Sequence, residues 1–101
     1  MIVSIKNEHG QVVVELEGKI YVEDAAELRE KLLDQIQQGR REFLILMERV
    51  EFMDSTGLGV LVAVQKRALE QGGRGIKIRG LSGAVKEIFD LTRLNRVFEM
   101  V

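Results

Sequence analysis

The stretch Phe43-Leu44-Ile45-Leu46-Met47 decides the fold class, because every one of its side chains is apolar. Successive side chains of a β-strand point to opposite faces of the sheet, so this strand is apolar on both faces. Strands of this composition are typical of parallel sheets with helices on both sides. The sequence therefore predicts a central parallel strand here that is buried on both faces.

The residues before this strand predict a hairpin followed by one amphipathic helix. The runs Met1–Ile5 and Gln11–Glu17 are rich in apolar and β-branched residues, and the turn cluster Asn7–Gly10 joins them. After them, apolar residues recur at helical spacing, at Ala25, Leu28, Leu32 and Ile36. Asp24 is predicted to cap the start of this helix, and Gly39 to end it in a left-handed conformation.

The residues after the strand predict two more helices with a strand between them. One helix should begin near Ser55 and end near Gln71, and Ile76–Arg79 alternates as a half-exposed strand does. Ser82 is predicted to cap a third helix, with an apolar face of Val85, Ile88 and Phe89, and the sequence leaves open whether Leu91 belongs to that face. A last strand or packed tail carries Val97, Phe98 and Met100.

Strands that alternate with helices imply parallel strands joined by right-handed crossovers. The predicted fold is therefore an α/β single domain over residues 1–101. It should have a mixed β-sheet of about four to five strands and three to four helices.

Composition narrows the class of function. Hydrophobic residues make up 46% of the 101 residues and charged residues 31%, which is typical of a soluble globular protein. A net charge of −1 lacks the basic excess of a nucleic-acid binder, and the absence of Cys excludes disulfides and thiolate metal sites. No signal sequence or membrane-length apolar run is visible, so we expect a cytoplasmic protein without membrane insertion.

One segment, Glu51–Gly59, is not explained by local structure alone. Ser55 is predicted to cap the second helix, and Asp54 places negative charge beside the positive end of the helix dipole. Gly57 and Gly59 each disfavour a helix by about 0.5–1 kcal/mol relative to Ala. Two glycines there indicate a close approach, by a neighbouring element or by a partner. Residue type and spacing leave open whether Ser55 is more than a cap.

The segment Asp54-Ser55-Thr56-Gly57-Leu58-Gly59, which follows an apolar strand, resembles the signature of the STAS family. That domain is shared by sulfate transporters and bacterial anti-sigma factor antagonists. Val12–Gly18 resembles the second strand of the family, and Val85–Phe98 resembles its C-terminal helix and tail. The resemblance covers nearly the whole chain and implies a STAS-like fold with the function of an anti-sigma factor antagonist.

The resemblance also implies a mechanism, which is partner switching. The unphosphorylated protein binds an anti-sigma factor that is also a Ser/Thr kinase, phosphorylation of Ser55 releases it, and a phosphatase restores the first state. The implied partner-binding residues are Tyr21, Asp54, Ser55, Thr56 and Gly57. No cofactor and no metal are expected.

An alternative within the family is a module that is not phosphorylated and serves as a subunit of a signalling scaffold or a lipid-transport complex. Two positions motivate it. Tyr21 stands where many switch members have Asp, and Leu46 stands where the central strand commonly has Asp or Asn. A module without phosphorylation would not need those polar groups.

The sequence carries no catalytic set, so we do not expect an enzyme. The only His, His9, lies in the predicted hairpin turn. No glycine-rich loop ends in Lys-Ser/Thr, which excludes a phosphate cradle of the P-loop kind. A nucleophile elbow needs Gly two positions before the Ser, and Met53 stands there.

Overall fold

The computed structural model describes residues 1–101, which form one five-stranded mixed sheet and three α-helices. In chain order the elements are β1 (Ile2–Glu8), β2 (Gln11–Ile20), α1 (Val22–Gln37), β3 (Glu42–Met53), α2 (Ser55–Glu70), β4 (Gly75–Arg79), α3 (Gly83–Leu91), a 3-10 helix (Leu94–Arg96) and β5 (Glu99–Met100). The predicted α/β class and the mixed sheet are confirmed.

The sheet has the strand order β1-β2-β3-β4-β5, with β1 antiparallel to β2 and every other pair parallel. Each parallel crossover joins neighbouring strands and advances in the same direction. Right-handed crossovers of this kind place all their helices on one face of the sheet. The single core of 22 buried hydrophobic residues therefore lies between that face and the helices.

The predicted burial of β3 on both faces is wrong. Phe43, Ile45 and Met47 point into the core and are fully buried, whereas Leu44 and Leu46 on the other face are only partly buried. No helix is left to cover that second face. Charged side chains surround the two leucines instead, with ion pairs that include Glu48–Arg79 and Lys77–Glu99.

The predicted hairpin is confirmed, and its turn is the two residues between β1 and β2. His9 and Gly10 both have positive φ, at 52° and 81°. Positive φ at both turn residues is the geometry of a type I′ turn, which matches the twist of the paired strands. The register places Asn7 opposite Val12 and Ile5 opposite Val14.

The start of α1 differs from the prediction. The chain enters the helix directly from β2, so Tyr21 is the N-cap and Asp24 is the third helical residue. The Asp24 carboxylate accepts the backbone N–H of Tyr21 at 3.5 Å, which is the return half of a capping box. At the other end Gly39 has a φ of 94°, so the left-handed end of this helix is confirmed.

One buried polar side chain, Gln65, ties α2 to β4 and to the segment that precedes β5. Its Oε1 accepts the backbone N–H of Ile76 at 2.6 Å, and its Nε2 donates to the carbonyl of Val97 at 3.0 Å. A Cβ atom at Gly75 would lie 2.3 Å from Gln65 Oε1, so this contact requires glycine. Because both halves of the amide are paired, its burial leaves no unsatisfied group.

The C-terminal segment forms α3, the 3-10 helix and the short strand β5, which pairs with β4. Val85, Phe89 and Phe98 are buried, and Ser82 is the N-cap residue of α3, as predicted, but its side chain makes no capping hydrogen bond. Leu91 does not belong to the apolar face of α3, because 83% of this residue is exposed. The helix ends at Leu91, and the chain then turns away.

Arg93 follows the end of α3 with a φ of 60°, a left-handed conformation that L-residues other than Asn and Asp rarely adopt. Its side chain is exposed and forms no ion pair, so Arg93→Gly should remove strain without losing a contact. We expect the free energy of unfolding in urea to rise by about 1 kcal/mol, the cost of the left-handed conformation for an L-residue. The control is Arg96→Gly in the 3-10 helix, where φ is negative, and this variant should lower stability. A lower stability for Arg93→Gly would contradict the argument.

Candidate functional site

The candidate site lies at the carboxyl ends of β2 and β3, where α1 and α2 begin. Ile20 and Met53 pair in the parallel register, and the backbone N–H of Asp54 donates to the carbonyl of Ile20 at 3.1 Å. The next residues, Tyr21 and Asp54, therefore leave adjacent strands at the same edge. Both are N-cap residues, so two helix starts lie side by side.

Asp54, not Ser55, is the N-cap of α2, which corrects the prediction from sequence. Its backbone is extended, and its Oδ1 accepts the N–H groups of Thr56 and Gly57, each at 3.1 Å. The hydroxyl of Thr56 donates to the same oxygen. A carboxylate satisfies two free amides of the first turn at once. Ser55 consequently becomes the first residue of the helix.

These hydrogen bonds also fix the charge of the site. The hydroxyl of Thr56, followed by the amide of Gly57, lowers the pKa of the Asp54 carboxyl below its ordinary value, because each donor stabilises the ionised form. Partial burial acts in the opposite direction and does not reverse the result. Asp54 is therefore ionised at neutral pH and holds one negative charge beside Ser55.

Two hydroxyl groups are exposed at this edge, and they differ in their hydrogen bonding. The Thr56 hydroxyl is held by Asp54, whereas the Ser55 hydroxyl makes no hydrogen bond within the chain. Ser55 also lies in the first turn of α2, where backbone N–H groups and the helix dipole favour an added anion. Chemically, Ser55 is the hydroxyl that is free to accept a phosphoryl group.

The two glycines of the segment have different surroundings. A Cβ atom at Gly57 would lie 2.6 Å from Cγ of Met53 and 3.4 Å from Cγ2 of Ile20, so this glycine lets α2 pack onto the strand ends. Gly59 is exposed, and a Cβ atom there would meet nothing within 4 Å. The close approach predicted for the pair is therefore made by a neighbouring element at Gly57 only.

Tyr21 lies at the same edge as Ser55 and is 45% exposed. Its ring packs against Phe52, with 5.9 Å between the ring centroids. Leu46 does not belong to this site, because it lies on the open face of the sheet and about 20 Å of strand separates it from Met53. Phe52 was not among the site residues predicted from the sequence, although its alternation with buried Met53 was the available signal.

No group of three or more His, Asp or Glu side chains lies close enough together to hold a metal ion. None of the helices has the length and the apolar composition needed to cross a membrane.

Comparison with known proteins places these features in a family. The family model described as STAS domain matches residues 3–101. The chain is similar to the anti-sigma-B factor antagonist of Bacillus subtilis, with 37% identity over 98 residues, which is 97% of this chain and 88% of that protein. It is also similar to the anti-sigma-B factor antagonist of Staphylococcus aureus, with 37% identity over 80% of this chain and 74% of that one.

Solved structures with the same fold include an anti-sigma factor antagonist, SpoIIAA, in its unphosphorylated form. It has a TM-score of 0.76 and 22% identity, with coverage of 100% of this chain and 86% of that one. The phosphorylated form of SpoIIAA, from Bacillus, also has a TM-score of 0.76 and 22% identity, with 100% and 89% coverage. At these identities the likeness is one of fold.

Gly57→Ala should destabilise the fold, because the added methyl group collides with the side chain of Met53 between α2 and β3. We expect the free energy of unfolding to fall by about 1–3 kcal/mol, as for other overpacked cores. The double variant Gly57→Ala, Met53→Ala removes the collision and serves as the control. The double variant should lose less stability than the sum of the losses of the two single variants. If the two losses simply add, Gly57 and Met53 do not collide and the packing argument is contradicted.

Asp54→Asn should change how stability depends on pH. The pKa of Asp54 is lower in the folded state than in the unfolded state, so its ionisation stabilises the fold fully above the unfolded value. This contribution is lost as the pH falls below about 4, the ordinary pKa of Asp. Thermal unfolding between pH 7 and pH 3 should therefore show the wild type losing stability relative to the Asn variant. If the stabilities of the wild type and the Asn variant change with pH in parallel, the hydrogen bonds to the Asp54 carboxylate do not lower its pKa.

Proposed function

The chain belongs to the STAS domain family, and from this we propose that it is an anti-sigma factor antagonist that switches partners through Ser55. One observation carries the proposal: Ser55 offers an exposed hydroxyl, free of hydrogen bonds, at the first turn of α2. The identity to an anti-sigma-B factor antagonist over 97% of the chain supports it. The unphosphorylated protein would bind a cytoplasmic anti-sigma factor that is also a Ser/Thr kinase, and a phosphatase would reverse the modification.

The hydrogen bonds of the first turn favour Ser55 over Thr56 as the phosphorylated residue. A hydroxyl that donates to Asp54 must lose that bond before it accepts a phosphoryl group, and its loss would weaken the cap. Modification of Ser55 leaves every bond of Asp54 in place.

A phosphate on Ser55 should leave the fold intact. It adds a charge of about −1.5 to −2 at neutral pH, and the helix dipole offsets part of that charge by about 0.3–1 kcal/mol. SpoIIAA supports this expectation, because its unphosphorylated and phosphorylated forms both share the fold of this chain, each with a TM-score of 0.76.

The same phosphate should abolish binding. Asp54 already presents a negative charge, so a partner surface that accepts this edge must accommodate one anion beside a neutral hydroxyl. A further dianion there adds bulk and like-charge repulsion, which can cost several kcal/mol across an interface. Since this exceeds the local effect on the helix, phosphorylation would change partner binding and not folding.

Of the proposed binding residues, Tyr21, Ser55 and Thr56 are exposed and would contact the partner directly. Asp54 is half-buried and would contribute its charge and its cap. Gly57 is on the buried side of the first turn and would act by setting the position of α2.

The second candidate is a STAS module that is not phosphorylated, within a signalling scaffold or a lipid-transport complex. The exposed ring of Tyr21 against Phe52 favours it, because aromatic side chains are enriched in protein interfaces. The affinity of such an interface would not depend on the charge at Ser55.

Ser55→Asp should reduce binding to the anti-sigma factor kinase by about 100-fold or more, since each 1.4 kcal/mol of repulsion is a factor of ten. The measurement is capture from the native lysate with mass spectrometry, followed by titration of the purified kinase. Ser55→Ala should bind as the wild type does and should not be phosphorylated. Ser82→Asp, at the exposed start of α3, is the matched control and should bind normally.

Equal circular dichroism spectra of all four proteins would exclude unfolding as the cause. Capture of the same scaffold or transporter subunits by both the wild type and Ser55→Asp would instead support the second candidate. Phosphorylation of Thr56 and not Ser55 would contradict the assignment within the first turn.

A further inference from the structure

Gly59 is a glycine that the folded chain does not need. It lies in the second turn of α2 and is exposed to solvent. A Cβ atom added there would meet nothing within 4 Å. Its φ lies in the ordinary helical region, so conformation does not require glycine either. Glycine weakens a helix relative to alanine, so its presence here has a cost that packing does not explain.

The helix surface around Gly59 is exposed but uncharged. The whole segment Ser55–Gln65 lacks a charged residue, in a chain of which 31% of residues are charged. Its exposed members are Ser55, Thr56, Gly59, Val62 and Ala63. Depletion of charge is the compositional mark of the centre of a protein interface.

Further along the same helix the surface becomes cationic. Lys66 and Arg67 of α2 and Arg29 of α1 line a groove of about 440 Å³ between the two helices. None of the three forms an ion pair, although other cations of the chain, such as Lys31 and Lys86, are paired on their own helices. The groove has one carboxylate, from Glu70, so it carries a net positive charge.

We propose that the anti-sigma factor that meets Ser55 docks along this surface, which we call the α2 face, from Ser55 to Arg67 with Arg29 at its side. The partner would place a neutral segment directly on Gly59 and acidic side chains opposite Lys66, Arg67 and Arg29. This inference rests on the proposed function and adds to it the extent of the interface and the chemistry of the partner.

The dimensions fit a single docking segment. From Ser55 to Arg67 the helix rises about 18 Å, at about 1.5 Å per residue. An interface of ordinary size covers about 800 Å² on each partner, which is enough to include this length of helix. The neutral end around Gly59 would allow close contact with the partner. The cationic end would steer an acidic surface of the partner toward the helix and set its orientation.

Substitution of Gly59 separates binding from folding. Gly59→Ala should raise the Tm by about 2–6 °C, because alanine favours the helix and has free space. It should also weaken binding of the purified anti-sigma factor kinase by about tenfold or more in titration calorimetry, and Gly59→Leu should weaken it further. Opposite signs cannot arise from unfolding. Arg93→Gly, which is also expected to raise the Tm but lies after α3, is the control and should bind normally.

Charge reversal tests the other end of the face. The double variant Lys66→Glu, Arg67→Glu should slow association with the same kinase by about tenfold at low salt and should reduce the dependence of the rate on salt. Lys6→Glu, an exposed and unpaired cation on β1, is the matched control and should have a smaller effect.

The outcomes distinguish this inference from the function on which it rests. If Ser55→Asp loses binding while Gly59→Ala keeps the affinity of the wild type, the α2 face is wrong and the switch at Ser55 stands. Unchanged association of the Lys66, Arg67 variant would limit the partner to the neutral end and overturn the acidic complement. If the wild type binds no anti-sigma factor, the proposed function and this inference fall together.

Discussion

The hydrogen bonds from the first turn of α2 to the carboxylate of Asp54 are the interaction on which the site depends. They begin the helix one residue earlier than a serine cap would, and this places Ser55 inside the helix with its hydroxyl free. The hydroxyl of Thr56 donates to the same carboxylate, and these hydrogen bonds lower the pKa of Asp54 and keep it ionised. One capped helix start thus selects which hydroxyl is available and sets the charge beside it.

The one-sided sheet provides the support for that helix start. Because every parallel crossover advances in the same direction, α1 and α2 pack beside each other on one face, and their first turns meet at the ends of β2 and β3. Gln65 then fixes α2 to β4 and to the C-terminal segment through both halves of its amide. A helix anchored along its buried side presents its outer side as a rigid surface.

The two glycines of α2 illustrate how one sequence motif combines two constraints. Gly57 faces inward, and the fold requires it because Met53 and Ile20 lie against it. Gly59 faces outward, and the isolated chain gives no reason for it. Only the first is a packing residue, and we attribute the second to the approach of a partner.

The sequence by itself determined the order of the elements, the parallel pairing of β3 and the position of the Ser55 segment after it. These follow from local information: apolar periodicity, turn residues and the family-like motif, each of which lies within a few neighbouring residues. It also placed the buried face of α1 correctly, because helical spacing alone defines an apolar stripe.

Only the tertiary structure decided which residues cap the helices, which face of the sheet is open, and which glycine is free. Asp24 and Asp54 are both acidic residues near helix starts. Only the path of the chain out of β2 and β3 shows that Asp24 is the third residue of α1 whereas Asp54 is the N-cap of α2. The half-exposure of Leu46 depends on the handedness of three crossovers, and no local pattern encodes it. These features are set by contacts between residues distant in sequence, which is the physical reason that the sequence could not provide them.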